Sequence, residues 1–305
     1  MKKVLIKVLI CDALHPDALE ELKPLSDFDV TVKTGMDETE LIKTIPDFNA
    51  AVVRSATKIT RNVINAASNL ELIIRAGIGL DNIDLAAAKE KGIDVANTPK
   101  ATTISVAEHT FGLMLGAVRQ HGRGNLSMKE HKWEKKALKG SELYGKTLGI
   151  IGSGRIGLAV AQRAIAFGMK AIAYDIVDIK TDLDVKQVSL DELLEKADVI
   201  SLHLPLTEDT RHIISDDEFS KMKQGVVIVN AARGGVVDEK ALLKALNEGK
   251  VKAAAIDVYE KEPPDNFELI EHQNVIATPH IGAACAEGQR RAGLEVVKIL
   301  KDRYL

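Results

Sequence analysis

The sequence predicts an α/β fold with two parallel β-sheets, in which one domain is inserted into the other. Short apolar runs alternate with helical patterns almost from end to end, as in βαβ units. Halfway along the chain, the apolar run Thr147–Ile151 leads into a glycine-rich turn and a new helical pattern. The length of 305 residues also exceeds what one typical hydrophobic core holds, so two domains are expected.

The first hundred residues contain five apolar runs separated by amphipathic stretches, a pattern that predicts parallel βαβ architecture. The predicted strands are Val4–Cys11, Val30–Lys33, Ala51–Arg54, Leu72–Ala76 and Asp94–Asn97. The predicted helices between them are Pro16–Leu22, Glu38–Thr44, Arg61–Ala67 and Leu85–Lys91. The first ten residues resemble a signal peptide only briefly, because Lys7 interrupts the apolar run and no small-residue cleavage site follows.

The pattern changes after Pro99, which indicates a junction. Thr103–Val118 predicts a long apolar helix, whereas His121–Gly145 is polar, basic and interrupted by glycine. Beyond it we predict six strands, the number in a complete dinucleotide-binding sheet. They are Thr147–Ile151, Lys170–Tyr174, Asp198–Leu202, Val226–Asn230, Ala253–Asp257 and Val275–Ala277.

The last stretch, Ala283–Leu305, predicts one amphipathic helix that returns to pack on the first domain. The expected domains are therefore residues 1–98 plus 284–305 and, inserted between them, residues 99–283. Such a double crossover leaves a cleft between the domains, the usual place for a small-molecule site.

Composition excludes several classes of protein. An apolar content of 46% with 28% charged residues is typical of a globular protein. The 41 basic and 44 acidic side chains nearly cancel, which argues against a nucleic-acid or membrane partner, and no apolar stretch approaches the ~18 residues needed to cross a bilayer. Cys11 and Cys285 lack metal-ligand spacing, so we expect no metal site and a reducing, cytoplasmic location.

The glycine-rich turn predicts a dinucleotide site of the Rossmann type. Gly152 would allow the turn, Gly154 would let backbone amides approach a pyrophosphate, and Gly157 would let helix and strand pack closely. Asp175 ends the next strand and suits the 2′-hydroxyl of an adenosine ribose. Since Ile176 and not an arginine follows, a 2′-phosphate would be repelled. The predicted cofactor is NAD.

Three further strand ends carry groups that could act on a substrate. Arg233 follows one strand, and its guanidinium fork suits a carboxylate. Glu262 lies before two prolines shortly after Asp257, which could itself accept a hydrogen bond from the nicotinamide carboxamide. His280 follows the last strand and could exchange a proton near neutral pH, its charged form stabilised by a neighbouring carboxylate. Alone, Arg233 is as readily a solvated loop residue, Glu262 is more often a surface residue, and a lone histidine such as His280 is more often structural. The three together at strand ends that face one cleft favour catalysis.

The motifs around these residues resemble the D-isomer-specific 2-hydroxyacid dehydrogenase family, and within it most closely the D-3-phosphoglycerate dehydrogenases. In the second half of the chain they are GKTLGIIGSGRIG, NAARGGVVDE, AAAIDVYEKEPP and NVIATPHIGA. In the first half they are AAVVRSATKIT, RAGIGLDNIDLAAAKEKGIDVANTP, SVAEHTFGLMLGAVRQ and KWEK. The resemblance covers essentially the whole chain and implies a flavodoxin-like substrate domain around the inserted Rossmann domain.

The resemblance also implies residue roles. Arg233 would bind the substrate carboxylate and polarise the C2 oxygen, His280 would be the acid–base residue, and Glu262 would orient it and raise its pKa. The implied cofactor contacts are Gly152, Gly154, Arg155, Ile156, Gly157, Asp175, Leu204, Pro205, Ala231, Ala232, Arg233, Asp257, His280, Gly282 and Ala283. The implied substrate contacts are Arg54, Ser55, Ala76, Gly77, Arg233 and His280. Ile78 and Leu204 depart from residues that relatives can carry, which we expect to tune affinity only.

Three functions remain open from the sequence. The first is oxidation of D-3-phosphoglycerate, the opening step of phosphorylated serine biosynthesis, with Arg54, Arg75 or the basic segment Lys132–Lys139 holding the phosphate. In the family that segment reaches toward a partner's site, so a homodimer is expected. The second is reduction of glyoxylate, hydroxypyruvate or another 2-ketoacid; the third is an NAD-sensing binding protein. Since longer relatives carry a regulatory domain after the return helix, we expect a short form without serine feedback.

Overall fold

The computed structural model describes residues 5–305, which divide into two compact units. One unit comprises the described residues up to Thr103 together with Ala283–Leu305, and the other comprises Ile104–Gly282. Across the described residues, no helix is both long enough and apolar enough to cross a membrane.

The first unit contains a five-stranded parallel sheet in the order β2-β1-β3-β4-β5, which is the flavodoxin-like order. Its strands are β1 (Ile6–Ile10), β2 (Phe28–Val32), β3 (Ala50–Val53), β4 (Leu72–Arg75) and β5 (Asp94–Asn97). Its helices are α1 (Pro16–Leu22), α2 (Glu38–Thr44), α3 (Arg61–Ala66) and α4 (Leu85–Glu90), with a single 3-10 turn at Ile45–Asp47. The predicted elements are all present, although β2 begins two residues before Val30, and Val4 lies outside the described residues.

Side-chain caps explain why the helices of this unit begin where they do. The carboxylate of Asp37 accepts a hydrogen bond from Glu40 N at 2.8 Å, and that of Asp84 accepts one from Ala87 N at 2.8 Å. Thr60 caps α3 in the same way, through Val63 N. Each cap satisfies an amide that the first helical turn leaves without a partner.

The C-terminal helix belongs to this first unit. It runs from Ala286 to Tyr304 (α12, numbered after the helices of the second unit) and buries Val296, Val297 and Leu300 in the core below β1. Gly293 allows close contact with α1, because a Cβ at that position would lie 2.8 Å from the Cβ of Ala18.

The second unit contains a seven-stranded parallel sheet in the order β12-β11-β10-β9-β6-β7-β8. Its strands are β6 (Thr147–Ile151), β7 (Lys170–Tyr174), β8 (Val185–Gln187), β9 (Val199–Leu202), β10 (Val226–Asn230), β11 (Val251–Ile256) and β12 (Val275–Ala277). Its helices are α5 (Thr103–Arg119), α6 (His121–Lys129), α7 (Arg155–Ala166), α8 (Leu190–Lys196), α9 (Asp216–Lys221), α10 (Glu239–Asn247) and α11 (Glu268–Glu271). Six of the strands follow the Rossmann order 3-2-1-4-5-6 when counted from β6.

The second unit departs from the prediction at two places. The sheet has seven strands rather than six, because β8 pairs with β7 at the edge. Its three residues include the exposed Lys186 and Gln187, so the segment has no apolar run to indicate a strand. The polar stretch after Gln120 forms helix α6, in which only Ser127 is buried, so it lacks the apolar periodicity of a packed helix.

Both faces of this sheet are buried, which explains the continuous apolar strands. Ile151, Ile200 and Ile228 lie in the cluster on one face, while Ile150 and Val229 lie in the cluster on the other. Because the strands are parallel, the turns that follow β6, β7, β9, β10, β11 and β12 share one edge of the sheet. Every site residue predicted in this unit follows one of those strands.

Candidate active site

The turn after β6 has the backbone geometry of a nucleotide-binding turn. Gly152 has φ +92°, and a Cβ there would lie 2.8 Å from the carbonyl oxygen of His203. A Cβ on Gly157 would lie only 2.2 Å from the oxygen of Gly152, whereas one on Gly154 would meet no atom within 4 Å. Gly152 and Gly157 are therefore required by the packing of the turn, and Gly154 leaves open space above it.

The open space lies at the N-terminus of α7. Gly154 is the N-cap and makes no side-chain capping bond, so the amides at the start of the helix, at Arg155 and Ile156, face outward. Such amides, together with the helix dipole, favour a phosphate. This arrangement fits the pyrophosphate of a dinucleotide.

Asp175 is held in place by this same turn. Its Oδ2 accepts hydrogen bonds from the amide (2.7 Å) and the hydroxyl (3.0 Å) of Ser153, and its Oδ1 accepts one from Val177 N at 3.3 Å. The carboxylate thus stands beside the glycine turn in a fixed orientation, as recognition of a ribose diol requires. The sequence indicated Asp175 but not the part played by Ser153.

The segment after β9 packs against the glycine turn. Leu204 contacts the position where a Gly152 Cβ would lie, at 2.9 Å, and Pro205 accepts a hydrogen bond from the Thr210 hydroxyl at 2.6 Å. His203 pairs through Nε2 with the Ser201 hydroxyl at 2.9 Å, and burial lowers the pKa of His203 to about 4. His203 is therefore a neutral structural histidine at physiological pH.

Arg233 lies in a tight loop after β10. Asn230 supports the loop by donating to the Arg233 carbonyl at 3.0 Å and accepting from Ala232 N at 3.1 Å, next to the buried Ala231. A Cβ at Gly234 would lie 1.8 Å from the carbonyl oxygen of Tyr259, so the loop packs directly on the backbone after β11. This contact fixes the position of Arg233 relative to the segment that contains Glu262.

His280 and Glu262 form a hydrogen-bonded pair. The distance from His280 Nδ1 to Glu262 Oε2 is 2.7 Å, and the side chains remain 45% and 38% exposed. The bond to Glu262 raises the pKa of His280, although burial and the positive charge of Arg233 act in the opposite direction. Burial raises the pKa of Glu262, but the bond and charge of His280 outweigh it, so that pKa lies below its usual value.

An imidazole paired in this way can transfer a proton. Nδ1 faces the carboxylate, which leaves Nε2 as the atom that gains or loses a proton. The positive charge of Arg233 acts to lower the pKa of His280. Arg233, Glu262 and His280 follow the neighbouring strands β10, β11 and β12, so the three residues predicted to be catalytic lie at the same edge of the sheet. His280 also has φ +52°, an unusual backbone conformation for a residue other than glycine.

Asp257 anchors the turn that carries His280. It is 1% exposed, and its Oδ1 accepts hydrogen bonds from the Thr278 hydroxyl (2.6 Å) and Ile281 N (2.9 Å), while Oδ2 accepts one from Gly282 N (2.8 Å). Burial raises the pKa of Asp257, but these bonds and one from His109 outweigh it and hold that pKa below its usual range. Asp257 was predicted as a cofactor contact; its structural bonds were not foreseen.

His109 completes this network from α5. Its Nε2 lies 3.2 Å from both Thr278 Oγ1 and Asp257 Oδ1. No local signal identifies His109, because the pairing joins residues more than a hundred positions apart.

The first unit holds its own group of predicted residues at the ends of β3 and β4. Arg54 follows β3, and its amide donates to Asp12 Oδ2 at 2.5 Å, while its Nη1 donates to the Ala13 carbonyl at 3.2 Å. Ser55 beside it is exposed. Asp12 also accepts from the amide and hydroxyl of Thr57, at 3.2 and 2.8 Å, and so fixes the loop.

The turn after β4 packs against the same loop. Ala76 N donates to the Val53 carbonyl at 2.8 Å, and Gly77 accepts from Thr98 N at 3.0 Å. The guanidinium of Arg75 donates to the carbonyl oxygens of Arg54 and Gly79. Arg54, Ser55, Ala76 and Gly77 therefore share one edge of the first sheet, whereas Arg75 holds the backbone there. Ala283, the last predicted cofactor contact, begins the second segment of this unit and is exposed.

Comparison with known proteins identifies the family. Residues 111–282 match the NAD-binding domain of the D-isomer-specific 2-hydroxyacid dehydrogenases. The chain is 54% identical to a hydroxypyruvate reductase of Thermotoga maritima over 97% of this chain and 98% of that protein. It is 50% identical to a D-3-phosphoglycerate dehydrogenase of Methanocaldococcus jannaschii over 97% of this chain, and spans 57% of that longer protein.

A solved structure agrees with these relatives. A glyoxylate reductase from Paecilomyes thermophila superimposes with a TM-score of 0.89 at 38% identity, covering 99% of this chain and 95% of that one. Fold, cofactor turn and sequence likeness all lead to one assignment. The chain belongs to the NAD-dependent D-isomer-specific 2-hydroxyacid dehydrogenase family.

Proposed function

We propose that the protein oxidises D-3-phosphoglycerate to 3-phosphohydroxypyruvate, with NAD as the hydride acceptor. The observation that carries the reaction class is the pair of His280 and Glu262, 2.7 Å apart, with the charge of Arg233 beside it. The choice of substrate is supported by 50% identity to a D-3-phosphoglycerate dehydrogenase. This reaction would be the first step of phosphorylated serine biosynthesis, in the cytoplasm.

The proposed mechanism assigns one task to each residue. The guanidinium of Arg233 binds the substrate carboxylate and polarises the oxygen on C2. Neutral His280 accepts the C2 hydroxyl proton at Nε2, and the resulting imidazolium is stabilised at Nδ1 by Glu262. NAD, when bound, supplies the nicotinamide carbon that takes up the hydride. In the opposite direction, protonated His280 returns the proton to the C2 oxygen.

A second candidate is the reduction of hydroxypyruvate or glyoxylate. It is favoured by the 54% identity to a hydroxypyruvate reductase, whose length this chain matches almost completely. The two candidates use the same chemistry and differ in the phosphate. Recognition of a phosphate needs a cation, and Arg75 is an unsuitable one because its guanidinium already binds two backbone carbonyls. Arg54 and the exposed Lys135, Lys136 and Lys139 are the better candidates.

A homodimer is part of the proposal. Helix α6 and the segment after it expose large apolar side chains: Leu126 is 56% exposed, Met128 55% and Trp133 79%. Apolar surface of this kind favours burial against another protein. Trp133 lies within the basic segment Lys132–Lys139. If a second copy covers Trp133, Lys135 of the first copy lies close to the surface of the second copy.

Steady-state kinetics tests the proposal. NADH formation from D-3-phosphoglycerate is compared with NADH consumption on hydroxypyruvate and on glyoxylate. We expect the highest kcat/KM with the phosphorylated substrate; a higher value with either ketoacid would assign the second candidate. His280→Asn should abolish turnover on all three and spare NAD binding. NAD binding without turnover in the unaltered protein would instead identify an NAD-sensing protein.

One lysine variant separates the substrate candidates further. Lys135→Ala should raise KM for D-3-phosphoglycerate roughly 10- to 150-fold, since a charged hydrogen bond contributes roughly 1.5–3 kcal/mol, and should leave KM for hydroxypyruvate unchanged. Lys298→Ala, at an exposed position on α12, is the matched control. Equal KM values in both variants would remove Lys135 from the proposal.

A further inference from the structure

A charged cluster outside the catalytic residues joins the three loops that surround them. We call it the loop clasp and define it as His212, Asp238, Glu239 and Glu260. His212 lies in the loop after β9, Asp238 and Glu239 follow the Arg233 loop, and Glu260 lies two residues before Glu262. None of the four was singled out by the sequence.

The centre of the clasp is a contact between His212 and two carboxylates. His212 Nε2 lies 3.1 Å from Glu260 Oε1, and His212 Nδ1 lies 3.9 Å from Asp238 Oδ2. The imidazole therefore bridges the loop after β11 to the loop after β10. It is 37% exposed, so a ring of this size can be replaced without opening a cavity in the core.

Glu239 and Glu260 tie the same two loops together reciprocally. Glu260 N donates to Glu239 Oε1 at 2.7 Å, and Glu239 N donates to Glu260 Oε1 at 3.2 Å. One oxygen atom, Glu260 Oε1, thus accepts both from Glu239 N and from the imidazole of His212. Movement of the Glu260 side chain would break both contacts at once.

The clasp brings together three negative charges. Burial raises the pKa of Glu239, and the charges of Glu260 and Asp238 raise it further. Burial also raises the pKa of Asp238, but hydrogen bonds from Ala241 and Ser215 and the charge of His212 outweigh it and lower that pKa. A hydrogen-bond donor between these carboxylates reduces their mutual repulsion, and the imidazole of His212 lies between Glu260 and Asp238.

The backbone of His212 is held in an unusual conformation by the Arg233 loop. His212 has φ +52°, and its amide donates to the Gly235 carbonyl at 2.7 Å. Two residues later, Ile214 pairs with Val237 in a short parallel bridge. Residues other than glycine whose backbone is held in the left-handed region by their surroundings cluster at functional sites.

The clasp is connected to Glu262 by a short, constrained segment. Tyr259 N donates to Glu262 Oε1 at 3.1 Å, and the Tyr259 carbonyl packs against Gly234. Residues 259–262 therefore lie between the clasp at one end and the bond from Glu262 to His280 at the other.

We propose that His212 is a positioning residue: by bridging Glu260 and Asp238, it holds residues 259–262 against the Arg233 loop and keeps Glu262 hydrogen-bonded to His280. This inference rests on the proposed acid–base role of His280. Loss of the bridge lets Glu262 move away from His280 Nδ1, so the imidazolium loses part of its stabilisation. The effect reaches catalysis through the protonation of His280, without any contact between His212 and the substrate.

The test is the pH profile of ketoacid reduction by His212→Asn. Asparagine tolerates positive φ better than most residues, so the backbone is preserved while the reach to Glu260 is lost. Reduction needs protonated His280, and its rate falls as pH rises through the pKa of that residue. We expect the midpoint of this fall to move to lower pH by about half a unit or more, while Tm falls by no more than about 2 °C.

Three further variants make the result decisive. His272→Asn alters a histidine of the same unit whose Nδ1 accepts a hydrogen bond from Asn274 N at 3.2 Å, in the segment before β12. This variant should keep the original midpoint. Glu260→Ala should reproduce the shift, and Glu260→Gln, which retains an accepting oxygen, should shift less. An unshifted midpoint in His212→Asn and Glu260→Ala, with His280→Asn inactive, would overturn this inference alone. Turnover by His280→Asn would overturn the proposed function and this inference with it.

Discussion

His280 Nδ1 lies 2.7 Å from Glu262 Oε2, although β12 and helix α11 separate the two residues in the chain. The contact forms because β11 and β12 are parallel neighbours, so the turns that follow them lie side by side. Asp257, the first residue after β11, fixes the turn of His280, and the Tyr259 amide fixes Glu262. The sheet edge thereby holds the imidazole of His280 and the carboxylate of Glu262 as a hydrogen-bonded pair.

The effect of Glu262 on His280 can be measured directly. Glu262→Gln removes the charge and keeps the size of the side chain, so the pKa of His280 should fall by about one unit or more. Reduction, which uses the imidazolium, should then decline at lower pH, and oxidation, which uses the neutral ring, should begin at lower pH. The pH dependence of kcat/KM in both directions is the measurement. Opposite displacements of the two limbs would contradict the assignment of His280 as the acid–base residue.

The three glycines of the turn after β6 differ in what a methyl group would do. Gly157→Ala places a Cβ 2.2 Å from the Gly152 carbonyl and should lower the free energy of unfolding by about 1–3 kcal/mol. Gly154→Ala meets no atom, so its cost should not exceed about 1 kcal/mol, from the weaker N-cap. The added methyl should nevertheless weaken NAD binding about tenfold by standing between the amides and the pyrophosphate.

Denaturant unfolding and calorimetric titration with NAD separate the two glycine variants. Each serves as the control for the other, because they lie three residues apart on the same turn. NAD binding by Gly154→Ala with unchanged affinity would show that the helix terminus does not contact the cofactor.

Local patterns in the sequence predicted the elements and the residues that follow the strands. Apolar runs such as Val226–Asn230 are continuous because both sheet faces are buried, and they therefore stand out. Arg233 and His280 were recognisable since each lies three residues after the end of a predicted strand. The same logic failed for β8, a three-residue edge strand with two exposed polar residues.

Contacts between distant segments could not be predicted in this way. Asp12 was not foreseen as the anchor of the Arg54 loop, because its partners lie 42 and 45 positions away. The bridge from His212 to Glu260 joins residues 48 positions apart, and each looks like an ordinary loop residue by itself. Only the order of the strands brings these loops together. The pattern of residues in a single sequence predicts which segments are buried and where turns occur. Contacts between side chains that are distant in the sequence can be found only once the fold is known.

The preference for NAD should depend on the charge of Asp175. Asp175→Asn keeps the hydrogen bonds from Ser153 possible and removes the repulsion of a 2′-phosphate, so kcat/KM with NADP should rise about tenfold. The value with NAD should fall, because the amide accepts the ribose hydroxyls less strongly than the carboxylate. Asp178→Asn, three residues further along and exposed, should leave the ratio unchanged. An unchanged ratio in Asp175→Asn as well would mean that another group selects the cofactor.

Asp257 should affect both stability and catalysis. In Asp257→Asn an amide group must face the donors Ile281 N, Gly282 N and the Thr278 hydroxyl, and one of them is left without an acceptor in a buried site. The free energy of unfolding at pH 7 should fall by about 2 kcal/mol. The pKa of Asp257 is lowered in the folded protein, so its contribution is complete above the pKa of the unfolded chain, about 3.9, and disappears as pH falls through the folded value.

The stability gap between the unaltered protein and Asp257→Asn should therefore be constant from pH 5 to 7 and narrow below about pH 4. Asp198→Asn is the matched control, since Asp198 also accepts a backbone amide (Thr147 N, 2.8 Å) but lies at the opposite end of the sheet. Both variants should be destabilised, and only Asp257→Asn should lower kcat, because it alone loosens the turn that carries His280. Equal losses of kcat in the two variants would reduce Asp257 to a general stabilising residue.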